Sequence, residues 1–174
     1  MIHIVMGISG SGKTTASKYL AEKLDAEIIN TDVLHSLLFP NGERTETGDF
    51  TPEQLAEIYR CLRPLAYYLS KTSPTKHIIF EGNFRFKSQR DFITEMMKAE
   101  NLSYKILFIQ IGNDAIAEKR ITNRHLNEGA PDTYEDYLKI KQVYEKPDDA
   151  YIIDNSDDVG SFETKLDDYI KSIS

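Results

Sequence analysis

The segment GISGSGKT at residues 7–14 constrains the fold of this chain more strongly than any other part of the sequence. It follows the largely apolar run IHIVM and precedes KTTASKYLAEKL, which has the pattern of a helix. Glycine adopts positive φ angles without strain, so three glycines at this junction predict a tight turn that exposes backbone amides. The first residues of the following helix add partial positive charge. The sequence therefore predicts an anion-binding site at the end of the first strand.

The spacing of the same segment, G-x-x-x-x-G-K-[ST], is that of the phosphate-binding loop (P-loop) of nucleotide enzymes. For a chain of average composition and similar length, a chance match is on the order of one in a hundred. We expect Lys13 to reach the β- and γ-phosphates and the Thr14 hydroxyl to ligate Mg²⁺. The residues predicted to contact the nucleotide are Gly7, Ser9, Gly10, Ser11, Gly12, Lys13, Thr14 and Thr15. A tight turn with an incidental Lys-Thr pair is the structural alternative.

Length and composition are those of a single globular domain spanning residues 1–174, with 40% hydrophobic and 28% charged residues. No apolar run approaches the roughly 20 residues that span a bilayer. The N-terminus lacks the pattern of a signal peptide, so a cytoplasmic location without a membrane partner is expected. Cys61 is a single cysteine, which excludes an internal disulfide, and no Cys/His cluster predicts zinc.

The formal net charge of −7 argues against broad, non-specific nucleic-acid binding, which depends on lysines and arginines that neutralise phosphates. A local basic groove would still accommodate nucleic acid, so the charge weakens this interpretation without removing it. The expected partner is instead a small molecule whose hydroxyl accepts a phosphoryl group. The sequence does not fix the oligomeric state.

Short apolar runs alternate with amphipathic stretches, as in a parallel sheet covered by helices. Strands are predicted at residues 2–6, 26–30, 77–80, 104–111 and 151–153. Helices are predicted at residues 13–24, 87–100, 113–124, 134–146 and 161–170, and also from Pro52 onward with Thr51 as N-cap. Polar, turn-rich loops are predicted at residues 40–48 and 127–133, with a lid around residues 120–133.

Asp32 follows the second predicted strand. The carboxyl ends of parallel strands line the ligand crevice, so Asp32 is expected beside the phosphate loop. There it could accept the proton of a substrate hydroxyl that attacks the γ-phosphate. The alternative is that Thr31 or Asp32 caps the helix-like segment VLHSLLF, and the residues alone do not decide between the two roles.

Glu81 closes the apolar run of the third predicted strand, as the acid of a Walker B segment does. It is predicted to hold Mg²⁺ through water or to bind the acceptor hydroxyl. Gly82 would allow a close backbone approach, and Asn83 would supply a bidentate amide. A solvated strand end is the alternative.

Arg120 and Arg124 stand four residues apart in a helical pattern, so they are expected to share one helix face. Arginines placed there can clamp the transferring phosphoryl group and neutralise charge in the transition state. Exposed arginines on an ordinary helix are the alternative.

Together these segments resemble the small P-loop kinases that include polynucleotide 5′-hydroxyl kinases, zeta toxins and chloramphenicol phosphotransferases. The resemblance covers most of the chain and runs through GISGSGKTT, INTDVLHSLL, IIFEGNFRFKSQR, AEKRITNRH and YLKIKQVYEKPDDAYIIDNS. It implies an α/β three-layer fold with a central five-stranded parallel sheet flanked by helices and the P-loop strand in the centre.

The resemblance also implies residue roles. It gives Asp32 the position of the hydroxyl-activating base and matches Arg120 and Arg124 to lid arginines that are catalytic together with Lys13. Asn155 falls on the adenine side of the nucleotide. The residues it places on the acceptor side are His35, Glu81, Asn83 and Arg90, and the predicted metal ligands are Thr14, Asp32 and Glu81. Many relatives carry arginine where this chain has His35, which argues against a strongly anionic acceptor.

The sequence thus predicts an ATP- and Mg²⁺-dependent kinase that phosphorylates a hydroxyl of a small-molecule or nucleotide-like acceptor. ATP is favoured over GTP by the resemblance, since there is no Asn-Lys-x-Asp segment. One alternative is a nucleotide-switched or toxin-type, partner-regulated protein with little turnover. Another is a nucleoside monophosphate kinase, which would need a basic acceptor pocket, whereas residues 31–75 offer only the arginines Arg44, Arg60 and Arg63.

Overall fold

Five parallel strands form one sheet in the computed structural model, which describes residues 1–42, 50–72, 77–130 and 132–173. The strands are β1 (Ile2–Met6), β2 (Ala26–Asn30), β3 (His77–Gly82), β4 (Tyr104–Gln110) and β5 (Tyr151–Asp154). Their order is β2-β3-β1-β4-β5, and each neighbouring pair is parallel. The predicted fold class is confirmed, with the P-loop strand β1 in the centre of the sheet.

Helices cover both faces of this sheet. They are α1 (Lys13–Leu24), α2 (Thr31–Leu38), α3 (Pro52–Thr72), α4 (Lys87–Ala99), α5 (Asp114–Glu128), α6 (Tyr134–Gln142) and α7 (Val159–Ile173). Side chains alternate along β1, so that Ile4 and Met6 pack with α3 and α4, while Val5 packs with α1 and α7. All five residues of β1 are buried, as expected for a strand covered on both sides.

The start of α2 tests the capping role considered for Thr31 and Asp32. The Asn30 side-chain oxygen accepts hydrogen bonds from the backbone amides of Asp32, at 2.8 Å, and Val33, at 3.1 Å. Asn30 is therefore the N-cap, and the capping interpretation of Thr31 and Asp32 is wrong. Asp32 lies in the first turn of the helix, where its carboxylate is exposed.

The predicted N-cap of α3 is confirmed. The Gln54 amide donates to the Thr51 hydroxyl at 3.3 Å, and the Thr51 amide donates to the Gln54 side chain at 2.8 Å. This reciprocal pair satisfies two amides at the helix start, where helical carbonyl partners are missing.

Other predicted boundaries shift. Helix α5 extends beyond residue 124 to Glu128 and ends at Gly129 (φ 66°), so residues 127 and 128 are helical rather than loop. Helix α6 ends at Gln142, earlier than predicted. Within the predicted loops, residues 43–48 and residue 131 lie outside the described part of the chain. No helix among the described residues is long and apolar enough to cross a membrane.

Candidate active site

The turn after β1 has the geometry that its glycines predict. Gly12 has φ 101°, and a Cβ atom there would lie 2.4 Å from the side-chain nitrogen of Asn155. A Cβ at Gly7 (φ 152°) would lie 2.2 Å from the carbonyl oxygen of Ile109. Neither position has room for a side chain. Helix α1 begins at Lys13, and its first amides have no helical carbonyl partners, so they are available to an anion.

Asn155, the residue after β5, braces this loop. Its side-chain amide donates to the Ser11 carbonyl oxygen at 2.8 Å, and its backbone amide donates to Gln110 at 2.9 Å. Its own carbonyl oxygen accepts a hydrogen bond from Arg120 Nη1 at 2.9 Å. Only 7% of Asn155 is exposed. The side chain thus supports the P-loop backbone directly, and its predicted contact with the adenine side stays a prediction.

Glu81 lies beside the P-loop because β3 pairs with β1. Its Oε1 accepts a hydrogen bond from the Thr14 hydroxyl at 2.5 Å, and its residue is 3% exposed. The register places Glu81 opposite Val5, two residues before the glycine turn. The solvated strand end considered from sequence is therefore wrong, and β3 carries a buried carboxylate to the phosphate loop.

Lys13 is the cation at the centre of the loop. Its Nζ donates to the Ile8 carbonyl oxygen at 3.1 Å. Burial lowers the pKa of Lys13, whereas the carboxylates of Asp32, Glu81 and Asp132 oppose this shift. Lys13 is half-buried, and a cation that is partly withdrawn from water interacts more strongly with an entering phosphate than a fully exposed one does.

A cavity of about 310 Å³ opens above these residues. Its charged lining contains Lys13, Asp32, Glu81, Arg124 and Asp132, together with the hydroxyl-bearing Ser9 and Thr14, and Arg85. The rest of the lining includes Thr31, Asn83, Gln89 and the apolar or aromatic residues Phe50, Leu55, Tyr59, Phe84 and Ile140. The fold thereby brings together predicted residues from four distant segments of the chain.

Arg120 and Arg124 share a face of α5 but have different partners. Arg124 lines the cavity, and its Nη1 lies 3.5 Å from the Ser9 hydroxyl oxygen. That hydroxyl donates to Asp132 at 2.5 Å. Arg120 instead bonds the Asn155 carbonyl and does not line the cavity. Arg124 therefore lies in the cavity that contains the phosphate loop, and its contact with a phosphoryl group stays a prediction. The joint clamp expected from spacing is not present in this geometry.

Of the predicted acceptor-side residues, Glu81 and Asn83 line the cavity, whereas His35 and Arg90 do not. His35 is 4% exposed, and its ring stacks on Phe50 with 4.1 Å between centroids. Arg90 is 5% exposed and donates hydrogen bonds to the carbonyl oxygens of Phe84 and Arg85, in the loop that follows β3. The prediction that His35 and Arg90 contact the acceptor is therefore wrong. Both side chains are buried and do not line the cavity.

The sequence interpretation missed several cavity residues. Leu55 and Tyr59 belong to an amphipathic helix, in which apolar positions are expected to face a core. Phe84 and Arg85 lie in the segment EGNFRF, whose unusual composition was the available signal for a special role. Asp132 lies in a loop, and no local pattern connects it with Ser9.

The oxygen donors beside the P-loop suit Mg²⁺. This ion prefers hard oxygen ligands, keeps several waters, and is usually held by one or two carboxylates together with substrate phosphates. Thr14 and Glu81 are in contact, and Asp32 lines the same cavity. Within the described ranges, no group of three or more His, Cys, Asp or Glu residues could hold a metal ion alone. The donor set therefore fits an ion that is bound jointly with a nucleotide.

Residues 2–147 match the model of a protein family described as an AAA domain. The chain belongs to this AAA domain family. The matched region runs from β1 to beyond α6 and contains every predicted site residue of this AAA domain except Asn155. Membership agrees with the phosphate loop and with the parallel sheet that positions it.

Relatives of this AAA domain include kinases of different substrates. An adenylate kinase of Chlamydia pneumoniae is 29% identical over 133 residues, covering 72% of this chain and 60% of that protein. A probable gluconokinase of Schizosaccharomyces pombe is 26% identical over 144 residues, covering 82% of this chain and 72% of that protein. The chain thus spans less than two thirds of the length of the adenylate kinase.

Solved structures confirm the fold. The APS kinase CysC of Mycobacterium tuberculosis, in complex with AMPPNP and APS, superposes with a TM-score of 0.68 at 16% identity. The match covers 98% of this chain and 96% of that one. These comparisons support the resemblance to P-loop kinases in general, and the finer resemblance to 5′-hydroxyl kinases, zeta toxins and chloramphenicol phosphotransferases stays a prediction.

Proposed function

We propose that this protein is an ATP-dependent kinase that transfers the γ-phosphoryl group to a hydroxyl of a small-molecule acceptor. One observation carries the proposal: a single cavity holds Lys13 of the phosphate loop, the carboxylates of Asp32 and Glu81, and the guanidinium of Arg124. Phosphoryl transfer needs a phosphate cradle, charge neutralisation and a group that orients the nucleophile. The kinase relatives, and an APS kinase of the same fold that binds AMPPNP, support ATP as the donor.

The donor side consists of the phosphate loop and α5. Lys13 would bind the β- and γ-phosphates, and Arg124 would neutralise the negative charge that develops on the transferring group. Mg²⁺, held by Thr14 and by Glu81 mainly through water, would neutralise phosphate oxygens when bound. Ser9 and Asp132 keep Arg124 near the loop, since the Ser9 hydroxyl contacts both residues.

The acceptor side centres on Asp32. The hydroxyl oxygen of the acceptor forms a bond to the γ-phosphorus while the bond to the bridging oxygen of ADP breaks, and the hydroxyl proton passes to Asp32. Glu81 is less suited to this role because Thr14 already donates a hydrogen bond to its carboxylate. Asp32 is exposed to the cavity from the first turn of α2, and Asn30 performs the capping.

The substitution Asp32→Asn tests this assignment. Transfer should fall by roughly 10²–10⁴-fold, which is the usual contribution of a positioned base. ATP affinity and melting temperature should stay nearly unchanged, because Asp32 neither caps the helix nor forms part of the phosphate loop. Acceptor-dependent ADP release, calorimetric ATP binding and thermal unfolding should be measured on the same variant.

Glu53→Gln is the matched control. Glu53 is the second residue of α3, as Asp32 is the second residue of α2, and it is exposed and does not line the cavity. It should keep full transfer. Unchanged transfer in Asp32→Asn would reassign the base to Glu81. A wild-type protein that binds ATP but releases no ADP with any hydroxyl acceptor would instead favour a nucleotide switch.

A further inference from the structure

Part of the cavity wall is apolar. Leu55 and Tyr59 reach it from α3, and Phe84 reaches it from the loop after β3. The rings of Tyr59 and Phe84 are stacked with 6.2 Å between centroids. Phe50 also lines the cavity and is backed by the buried ring of His35. Phe50 and Leu55 are half-buried, whereas Tyr59 and Phe84 are only 8% and 2% exposed, so Phe50 and Leu55 present most of the apolar surface that a ligand can cover. A ligand that covers this surface with apolar groups removes both surfaces from water.

The loop that carries Phe84 is fixed from behind. Arg90 Nη1 donates to the carbonyl oxygens of Phe84, at 2.9 Å, and Arg85, at 3.1 Å. The Tyr144 hydroxyl donates to the Asn83 carbonyl oxygen at 2.6 Å. Phe84 has φ 43°, a conformation that costs a bulky residue free energy and persists only where its surroundings hold it. Arg90 is thus a positioning residue for a pre-formed wall.

The reacting end of the same cavity is acidic as well as basic. Asp32 and Glu81 line it next to Lys13. An acceptor whose reacting atom belongs to a phosphate would bring further negative charge against these two carboxylates, which is unfavourable at short range. An uncharged hydroxyl would meet no such repulsion and could donate its proton to Asp32.

We propose that the acceptor is an uncharged alcohol with an aromatic or similarly flat apolar body. The body packs mainly against Phe50 and Leu55, beside the nearly buried rings of Tyr59 and Phe84, and the hydroxyl lies beside Asp32. This inference rests on the proposed kinase function and narrows its acceptor. It sets this protein apart from kinases of sugar acids, which offer little apolar surface, and from kinases of nucleoside monophosphates, whose reacting group is anionic.

Matched acceptors test the inference. With ATP and Mg²⁺, ADP release should be measured for phenyl and methyl β-glucoside, which differ in the apolar ring, and for adenosine and AMP, which differ in the phosphate. Gluconate serves as the sugar acid. We expect release with phenyl β-glucoside or adenosine that exceeds release with methyl β-glucoside, AMP and gluconate by at least about tenfold, the equivalent of 1.4 kcal/mol.

Two leucine variants locate the apolar contact. Leu55 and Leu69 are both half-buried on α3 and pack against the same core, but only Leu55 lines the cavity. Leu55→Asn should raise KM for the preferred acceptor about five- to tenfold, as expected for losing part of a leucine contact. Leu69→Asn should leave KM within about twofold of wild type, although both variants lose stability.

The other outcomes overturn one proposal or both. Turnover of AMP or gluconate without turnover of the aromatic alcohols would refute the inference and leave the kinase function standing. Equal KM changes in Leu55→Asn and Leu69→Asn would also refute it, because the effect would then be a general loss of packing. ADP release with none of the acceptors, from protein that binds ATP, would overturn the proposed function as well.

Discussion

Asn155 shows how one side chain fixes the shape of the phosphate loop. Its amide nitrogen occupies the space into which a Cβ at Gly12 would project, and the same nitrogen donates to Ser11. Glycine at position 12 and an amide at position 155 therefore depend on each other. The fold brings them together across more than half the chain, because the carboxyl end of β5 lies at the same edge of the sheet as that of β1.

We predict that Asn155→Ala destabilises the protein and weakens ATP binding. The substitution removes the donor to the buried Ser11 carbonyl, and leaving such an acceptor unsatisfied costs about 1–3 kcal/mol. Chemical denaturation and ATP titration measure the two effects. Asn127→Ala is the control, since the Asn127 amide donates to Asn123 on the exposed face of α5, and a surface change should stay within about 0.5 kcal/mol. Equal losses of stability and ATP affinity in both variants would show that Asn155 does not support the phosphate loop in this way.

Individual residues differ in how far the sequence predicts them. The places of Lys13 and Thr14 at the start of α1 follow from the P-loop, a continuous motif with fixed spacing, and their roles toward phosphate and Mg²⁺ stay predictions. His35 and Arg90 were placed against the acceptor by resemblance, yet they lie behind the wall and support Phe50 and the loop after β3. Such assignments depend on side-chain direction, which a sequence position without a motif does not specify.

Helix α5 places two arginines at neighbouring sites with different partners. Residues four apart lie on one face, as the spacing predicts, but one turn of helix separates them along the axis. Arg124 therefore reaches the Ser9 region of the cavity, whereas Arg120 reaches the Asn155 carbonyl. The element thus links the phosphate loop with the end of β5.

We predict that replacing each arginine by alanine affects a different property of the protein. Arg124→Ala should lower kcat by roughly 10²–10³-fold, the usual effect of removing one donor to transition-state charge. Arg120→Ala should mainly lower thermal stability and ATP affinity, because it releases the Asn155 brace. Steady-state kinetics and ATP titration separate the effects, and each variant is the control for the other. Equal losses of kcat in the two variants would instead support the expectation from spacing that both arginines bind the transferring phosphoryl group.

At the level of elements, local pattern predicted most of the fold. The bounds of β1, β2 and α1 agree with prediction because a glycine loop or a cap marks their ends. The relation of β2 to β1 was less accessible. Asp32 was expected beside the P-loop because it follows β2 at the carboxyl edge of the sheet. The sequence did not show that β3 lies between β2 and β1, or that Asp32 lines the cavity from the first turn of α2. Strand order is set by tertiary packing, which no single segment encodes.

Across the whole molecule, one buried histidine joins three elements. The His3 ring in β1 forms two hydrogen bonds. Its Nδ1 lies 2.7 Å from the Tyr169 hydroxyl of α7, and its Nε2 lies 2.8 Å from His77 Nδ1 of β3. His3 is fully buried, and burial lowers its pKa to about 3, aided by the nearby charge of His77. The charged form of His3 is therefore disfavoured in the folded protein, whereas the unfolded chain binds a proton readily below pH 6.5.

This difference predicts a loss of stability in mild acid. Between pH 6.5 and about 3, the unfolded state binds a proton at His3 that the folded state does not, so the free energy of unfolding falls as pH falls. One proton contributes a slope of up to about 1.4 kcal/mol per pH unit. His3→Gln should be less stable at neutral pH but should show a shallower slope in urea unfolding between about pH 6.5 and 4.5. His125→Gln, at an exposed position on α5, should keep the wild-type slope. If His3→Gln kept that slope too, the acid sensitivity would belong to other groups, and the histidine joining β1, β3 and α7 would not be what ties the stability of the fold to pH.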